Sequence, residues 1–145
     1  MKRACLVGFL ALAACATEYH ARPAEKPLNA RELGSRDLTV VDSGADPSLA
    51  DAFAQALESD GFKVVAHPAY HGELEVTLTT ERTRQGQVAV ATLRSDGFFV
   101  EEARAPLDRN DATAAWLAKT LAVSSGMADF VRNNGTPQQA PFSPD

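Results

Sequence analysis

Residues 73–102 read ELEVTLTTERTRQGQVAVATLRSDGFFVEE, and their patterning decides the architecture. From Glu73 to Arg82 apolar and polar residues alternate, with Leu74, Val76 and Leu78 on one side and Glu75, Thr77 and Thr79 on the other. A period of two with one wet side marks an antiparallel strand packed on a core through a single face. Two dipeptides punctuate the run, Gln85-Gly86 and Asp96-Gly97. Both suit two-residue hairpin loops, the second more strongly, because Asp and Gly tolerate the positive φ that the favoured turns require. The segment therefore reads as three strands in a meander.

These turns predict a register. With Gln85-Gly86 as the loop, Arg84 faces Gln87, Leu78 faces Leu93 and Thr80 faces Ala91. With Asp96-Gly97 as the next loop, Leu93 faces Val100. Together they gather Leu74, Val76, Leu78, Ala91, Leu93, Phe98 and Val100 on one surface, which should meet the helices. The opposite surface collects Thr77, Thr79, Thr92, Arg94 and Glu101, along with Val88, Val90 and Phe99. A one-residue slip would exchange the two sets.

Upstream, Leu38-Thr39-Val40-Val41 is a β-branched strand candidate that ends at the turn signal Asp42-Ser43-Gly44. Asp46 can cap a helix and Pro47 fits its first position, where a missing N–H costs nothing. Leu49, Phe53, Ala56 and Leu57 form its apolar stripe, and Gly61 supplies a left-handed stop with Phe62 behind it. Phe62 to Ala66 is the next strand, parallel to the first across the crossover. Downstream, Asn110 or Asp111 caps a long final helix with Trp116, Thr120, Val123, Met127 and Phe130 on its stripe, broadened by Leu117, Leu121 and Val131. Ser124-Ser125-Gly126 is a place for it to bend, and Asn133-Asn134-Gly135 ends it. The order β-α-β-β-β-α makes an α+β fold, a mixed and mostly antiparallel sheet with two helices packed on one face.

Ahead of this domain, Lys2 and Arg3 precede an apolar run from Leu6 to Ala14. A core of about nine residues is too short for a bilayer, which takes about 20, and reads as a secretory signal. Its end, Leu12-Ala13-Ala14-Cys15, resembles the bacterial lipobox, in which the Cys becomes the acylated first residue of the mature protein. The resemblance implies a lipid anchor at Cys15. Ala16, standing where the family's inner-membrane retention signal has Asp, implies the outer membrane of a Gram-negative envelope, with the domain facing the periplasm. The chain then divides into a signal peptide (1–15), a flexible tether (16–36), one α+β domain (37–133) and a disordered tail (134–145). For the second half of the tether, packing of Leu28 and Leu33 as a short helix is the alternative.

Removal of the signal takes 14 basic against 19 acidic residues, net −5, to 12 against 19, net −7. Phosphate binding needs a basic face, so nucleic acid is not an expected partner. Cys5 leaves with the signal and Cys15 carries lipid, so no disulfide is available and the core must hold the domain together.

Catalytic constellations are sparse. His67 and His71 stand four apart, but Pro68 and Gly72 place them in a loop, and only Glu73 or His20 is near enough in sequence to join them on zinc. Asp42, Ser43, Asp46 and Asp51 depart from a calcium loop and read as a capped strand-to-helix turn. Ser124-Ser125-Gly126-Met127 lacks the strand-elbow setting of a hydrolase nucleophile. Glu101 and Glu102, adjacent on a strand, point to opposite faces and cannot act as a pair. Trp116 belongs to the apolar stripe. No enzyme, metal or cofactor is expected.

The expected role is that of a non-catalytic accessory or scaffolding lipoprotein of a cell-envelope assembly, transport or secretion complex. Val88, Val90 and Phe99 would form its partner-binding surface. Lipobox, tether and element order resemble small accessory lipoproteins of envelope systems: the lipopolysaccharide-assembly lipoprotein, the auxiliary lipoproteins of ABC transport, and the amino-terminal module of the Tol translocation protein. Asp51 to Val65 also looks like a lipoprotein of conjugative transfer, a type IV secretion relative. A lipid or small-ligand carrier, with a cavity beside Ala114, Ala115, Ala118, Ala122 and Ala128, is a second class. A metallohydrolase using His67 and His71 is a third.

Overall fold

The computed structural model describes residues 21–65 and 74–133. Within them one sheet has the order β2-β1-β3-β4-β5, where β1 is Asp37–Asp42, β2 Lys63–Val64, β3 Leu74–Thr83, β4 Gly86–Ser95 and β5 Phe98–Pro106. β1 is parallel to β2 and β3, while β3, β4 and β5 form the antiparallel meander. The helices are α1 (Ala30–Leu33), α2 (Pro47–Asp60), α3 (Asn110–Ala122) and α4 (Ser125–Arg132).

The expected order of β-α-β-β-β-α with two helices is therefore corrected: the described residues hold five strands and four helices. Local hydrogen bonding accounts for both extra helices. At α1, the Glu32 N–H donates to the Asn29 side chain and the Asn29 N–H donates back to the Glu32 carboxylate. That reciprocal box stabilises even a single turn. The expected long final helix breaks instead of bending. The Ser124 hydroxyl donates to the Leu121 carbonyl (2.8 Å) and accepts from the Met127 N–H (3.2 Å), ending one helix and capping the next.

α2 follows its expected boundaries. The Asp46 side chain accepts from the Ser48 N–H, Pro47 occupies the first position, and Gly61 stops the helix at φ 106°. Leu49, Phe53 and Leu57 are fully buried. On α3 the buried face is rotated from the expected stripe. Ala114, Leu117, Ala118, Leu121 and Ala122 are inside, whereas Trp116, Thr120 and Val123 are half-exposed. Small residues at 114 and 118 let α3 lie close along α2 and β5, and the indole is too bulky for that seam.

The β3–β4 register departs from expectation by two residues. Thr83 pairs with Gly86, so the loop is Arg84-Gln85, and Leu78 faces Ala91 while Thr80 faces Ala89. The Thr83 hydroxyl accepts from the Gln85 N–H and donates to the Gly86 carbonyl, closing the turn, and Gly86 takes a φ of 131° as the first paired residue. An even shift leaves every face assignment of β3 and β4 intact.

At the second hairpin Asp96 (φ 49°) and Gly97 (φ 81°) form the loop, and Ser95 pairs with Phe98 and Arg94 with Phe99. A bulge follows, so Leu93 faces Glu101 instead of Val100. The extra residue reverses the faces of all that comes after it. Glu101, Ala103 and Ala105 point at the helices, and Glu101, expected on the wet face, is only 8% exposed. Phe98, expected in the core, lies beyond the helical layer and is 62% exposed.

The two hairpins mark the ends of the domain. At the Arg84-Gln85 end, the Asn110 amide donates to the Ser48 hydroxyl (2.6 Å), tying the starts of α3 and α2 together. Both helices run from there toward the Asp96-Gly97 end, where α4 begins beside Val100 and Glu101. In the segment read as tether, Leu28 and Leu33 are buried, and Ala30 sits against Gly61, where a Cβ would stand 2.6 Å from the Ala30 Cβ. The Arg36 guanidinium lies 5.3 Å from the Phe130 ring centre.

Candidate functional site

The sheet face away from the helices carries the residues picked out as a partner surface. Val90 is flanked by Thr79 on β3 and Arg104 on β5, and Val88 by Glu81 and Pro106. Arg104 pairs with Glu81 across the intervening strand, so the two side chains run over β4 between the valines. Glu102 extends the network, accepting from Arg104 (3.4 Å) and from the Thr92 hydroxyl (3.2 Å). Val88 and Val90 are accordingly 2% and 3% exposed, beneath polar cover. Phe99, opposite Arg94, is 49% exposed. Of the three expected contact residues, Phe99 is thus accessible and the two valines are not. Thr39, on the same face of β1, is buried, and its hydroxyl has no partner.

Sequence reasoning missed the role of Glu101. Its carboxylate accepts from the Glu102 N–H (3.1 Å) and from the Gly126 N–H in the first turn of α4. Burial pushes its pKa above the ordinary glutamate range, with the Glu102 charge adding to the rise and the two N–H groups opposing it. A Cβ on Gly126 would stand 2.6 Å from Glu101 Oε2 and 2.7 Å from the Val100 carbonyl oxygen, so only glycine allows this approach. The signal that would have found the inward turn is Glu101-x-Ala103-x-Ala105, a small-residue alternation out of phase with Phe98 and Val100.

The acidic turn after β1 is spent on local structure. Asp42 accepts from the Ala45 N–H (2.8 Å), and Asp46 from the Ser48 N–H and hydroxyl; these bonds hold the Asp46 carboxyl below its usual range. Among the described residues no three His, Cys, Asp or Glu side chains come together as a metal site. Ala114, Ala118, Ala122 and Ala128, candidates for lining a carrier cavity, are packed in the core, while Ala115 is exposed. Trp116 borders a shallow depression of about 290 Å³ with Pro106, Arg109 and Ala112 at the Arg84-Gln85 end. Cys15, His20, His67, His71 and Glu73 lie outside the described residues. Among those described, no helix is long and apolar enough to cross a membrane.

No family model and no curated protein matches the sequence. Weakly similar solved structures include the following two. One is a dodecamer of a PelC point variant from Paraburkholderia phytofirmans, with 18% identity, TM-score 0.44, and coverage of 72% of this chain and 97% of that one. The other is an uncharacterized lipoprotein B from Nitrosomonas europaea, with 12% identity, TM-score 0.34, and coverage of 68% and 78%.

Proposed function

We propose that the mature protein is a lipid-anchored, non-catalytic accessory protein of the bacterial cell envelope, held at the outer membrane through Cys15 and working by protein binding. The observation that carries this reading is the lipobox-like Leu12-Ala13-Ala14-Cys15, whose cysteine lies six residues ahead of Ala21, the first described residue and a buried one. Two or three acyl chains at about 0.8 kcal/mol per buried methylene make such an anchor stable where one chain alone would be marginal. The polar side chains of the domain support the non-catalytic half: Asp42, Asp46 and Ser124 each satisfy backbone N–H groups at turns or helix starts, and Glu101 accepts from the Glu102 N–H on its own strand. The surface offered to a partner is the threonine-lined sheet face around Thr77, Thr79 and Thr92.

The test is incorporation of radiolabelled palmitate into the full chain and into its Cys15→Ser variant. Label in the former alone, with loss of the variant from the membrane fraction, is the expected result. An unlabelled protein, or a variant that fractionates unchanged, would refute the anchor and the compartment together.

A further inference from the structure

Phe98 and Phe99 are the exposed large hydrophobic residues of the described chain. They are neighbours on one strand beside the Asp96-Gly97 turn, so their rings project from opposite faces of the hairpin. A partner docked on one face of the sheet would cover one ring and leave the other wet. An environment that meets the hairpin end-on would cover both.

The path of the chain says what lies there. The Ser125 N–H donates to the Arg22 carbonyl (2.7 Å), and Pro23 forms a β-bridge with Ser124. The next residue, Gly126, abuts the Val100 carbonyl. Two close contacts and one residue step of about 3.8 Å thus separate Arg22 from Val100, so Arg22 lies within roughly 12 Å of Val100, the residue that follows Phe99 on the hairpin. From Ala21 back to Cys15 there are six residue steps, a reach of at most about 22 Å. The Arg84-Gln85 hairpin lies ten residues of β4 away, on the order of 33 Å.

We infer that the Asp96-Gly97 hairpin is a second membrane contact, its Phe98 and Phe99 rings seated in the interfacial layer of the bilayer that holds the anchor. The inference rests on acylation of Cys15. Asp96 at the apex keeps the contact shallow, with the rings at the headgroup and glycerol level and not among the acyl chains. With a mature net charge of −7 counted over residues 16–145, attraction to anionic lipid contributes nothing, so the contact is apolar and insensitive to salt. Anchor and hairpin together fix which end of the domain faces the membrane. They point the Trp116 depression and the Arg84-Gln85 turn into the periplasm.

The mature chain has no thiol besides Cys15, so a cysteine placed elsewhere takes a label alone. The lipidated full chain carrying Phe98→Cys, and separately Arg84→Cys, is labelled with an environment-sensitive fluorophore. Each is reconstituted into zwitterionic phosphatidylcholine/phosphatidylethanolamine vesicles with a lipid-borne quencher at headgroup depth. The expected result is quenching of position 98 at least fivefold stronger than of position 84, unchanged between low and high salt, and lost when Phe99→Ser is added. Equal quenching at the two positions in vesicles that carry the protein through flotation would overturn the membrane contact while leaving the anchor intact. So would a label at position 98 that self-quenches between copies, which would assign the hairpin to a second molecule of this chain. Failure of the protein to float with the vesicles at all would instead defeat the acylation on which both readings stand.

Discussion

Substituting Gly126 by Ala puts the packing of α4 on β5 to a test of sign. On a helix that merely lay on the surface, the change would stabilise by about 0.4–1 kcal/mol, because alanine leaves the unfolded chain fewer conformations to lose. Here the new methyl would stand 2.6 Å from the Glu101 carboxylate and 2.7 Å from the Val100 carbonyl oxygen. An ordinary C···O contact begins at about 3.3 Å, so each neighbour would have to move by more than half an ångström. Neither moves freely: the carboxylate is held by two N–H groups and the carbonyl belongs to the bulged backbone. Overpacking of this kind costs about 1–3 kcal/mol, leaving a net loss of about 0.5–2 kcal/mol. Urea unfolding of the mature chain with Cys15→Ser should show the midpoint falling by several tenths of a molar, for a slope of about 1–3 kcal/mol/M. Adding Glu101→Ala removes one of the two obstructions and should recover part of the loss, as coupled neighbours do. A midpoint that rises on Gly126→Ala would refute the seating of α4 against Val100 and, with it, the route that brings Arg22 to the hairpin.

Two further substitutions address single buried groups. Glu101 keeps its proton to higher pH in the folded protein than in the unfolded chain, so its ionisation withdraws stability as pH rises from the unfolded value of about 4.3 through the folded one. Glu101→Gln lacks that component, and the stability difference, variant minus wild type, should climb across this window and then level off; superimposable profiles between pH 4 and 7 would contradict the burial of the carboxyl. Thr39→Val exchanges an unpartnered buried hydroxyl for a methyl of the same shape and should stabilise by about 1 kcal/mol in the same urea assay, a gain that a hydrogen-bonded hydroxyl would turn into a loss.

What could be read from the sequence was what depends on neighbours in the chain. Asp46-Pro47, Gly61 and Asp96-Gly97 announce their φ and hydrogen-bonding needs within a few residues, and each stands where the sequence put it. The faces of β3 and β4 were equally legible, because alternation survives a two-residue change of register. The bulge at Val100 was harder to see: its one mark is the change of phase between Phe98-x-Val100 and Ala103-x-Ala105, and small alanines signal a buried face more weakly than phenylalanine and valine do. At Ser124-Ser125-Gly126 the sequence showed a bend but not a break, since a serine fits a continuous helix until its hydroxyl is seen to be committed at both ends. The burial of Val88 and Val90 rests on Arg104 reaching Glu81 over the strand between them, a contact 23 residues apart in sequence that no local pattern encodes.

The same bulge decides how the protein can bind. β5 is the long edge of the sheet, and an open edge invites another strand. The Leu107 N–H donates to the Gln87 carbonyl, so along the ladder the N–H groups of Ala105, Ala103 and Glu101 turn toward β4, and those of Glu102, Arg104 and Pro106 belong to the outer side. Pro106 has no N–H, and the Glu102 N–H is taken by the Glu101 carboxylate, which leaves Arg104 as the one donor of that stretch. Strand addition needs a row of donors and acceptors in step, and this edge lacks one. Had Val100 stayed in register, Glu101 would face the open side of the sheet, its carboxylate would not reach the first turn of α4, and the edge from Val100 to Pro106 would be regular. The irregularity therefore closes the edge to other chains, and it seats α4 so that the amino-terminal segment enters beside the phenylalanine hairpin. The proposed partner is left with the threonine face, and the proposed membrane contact with the hairpin tip.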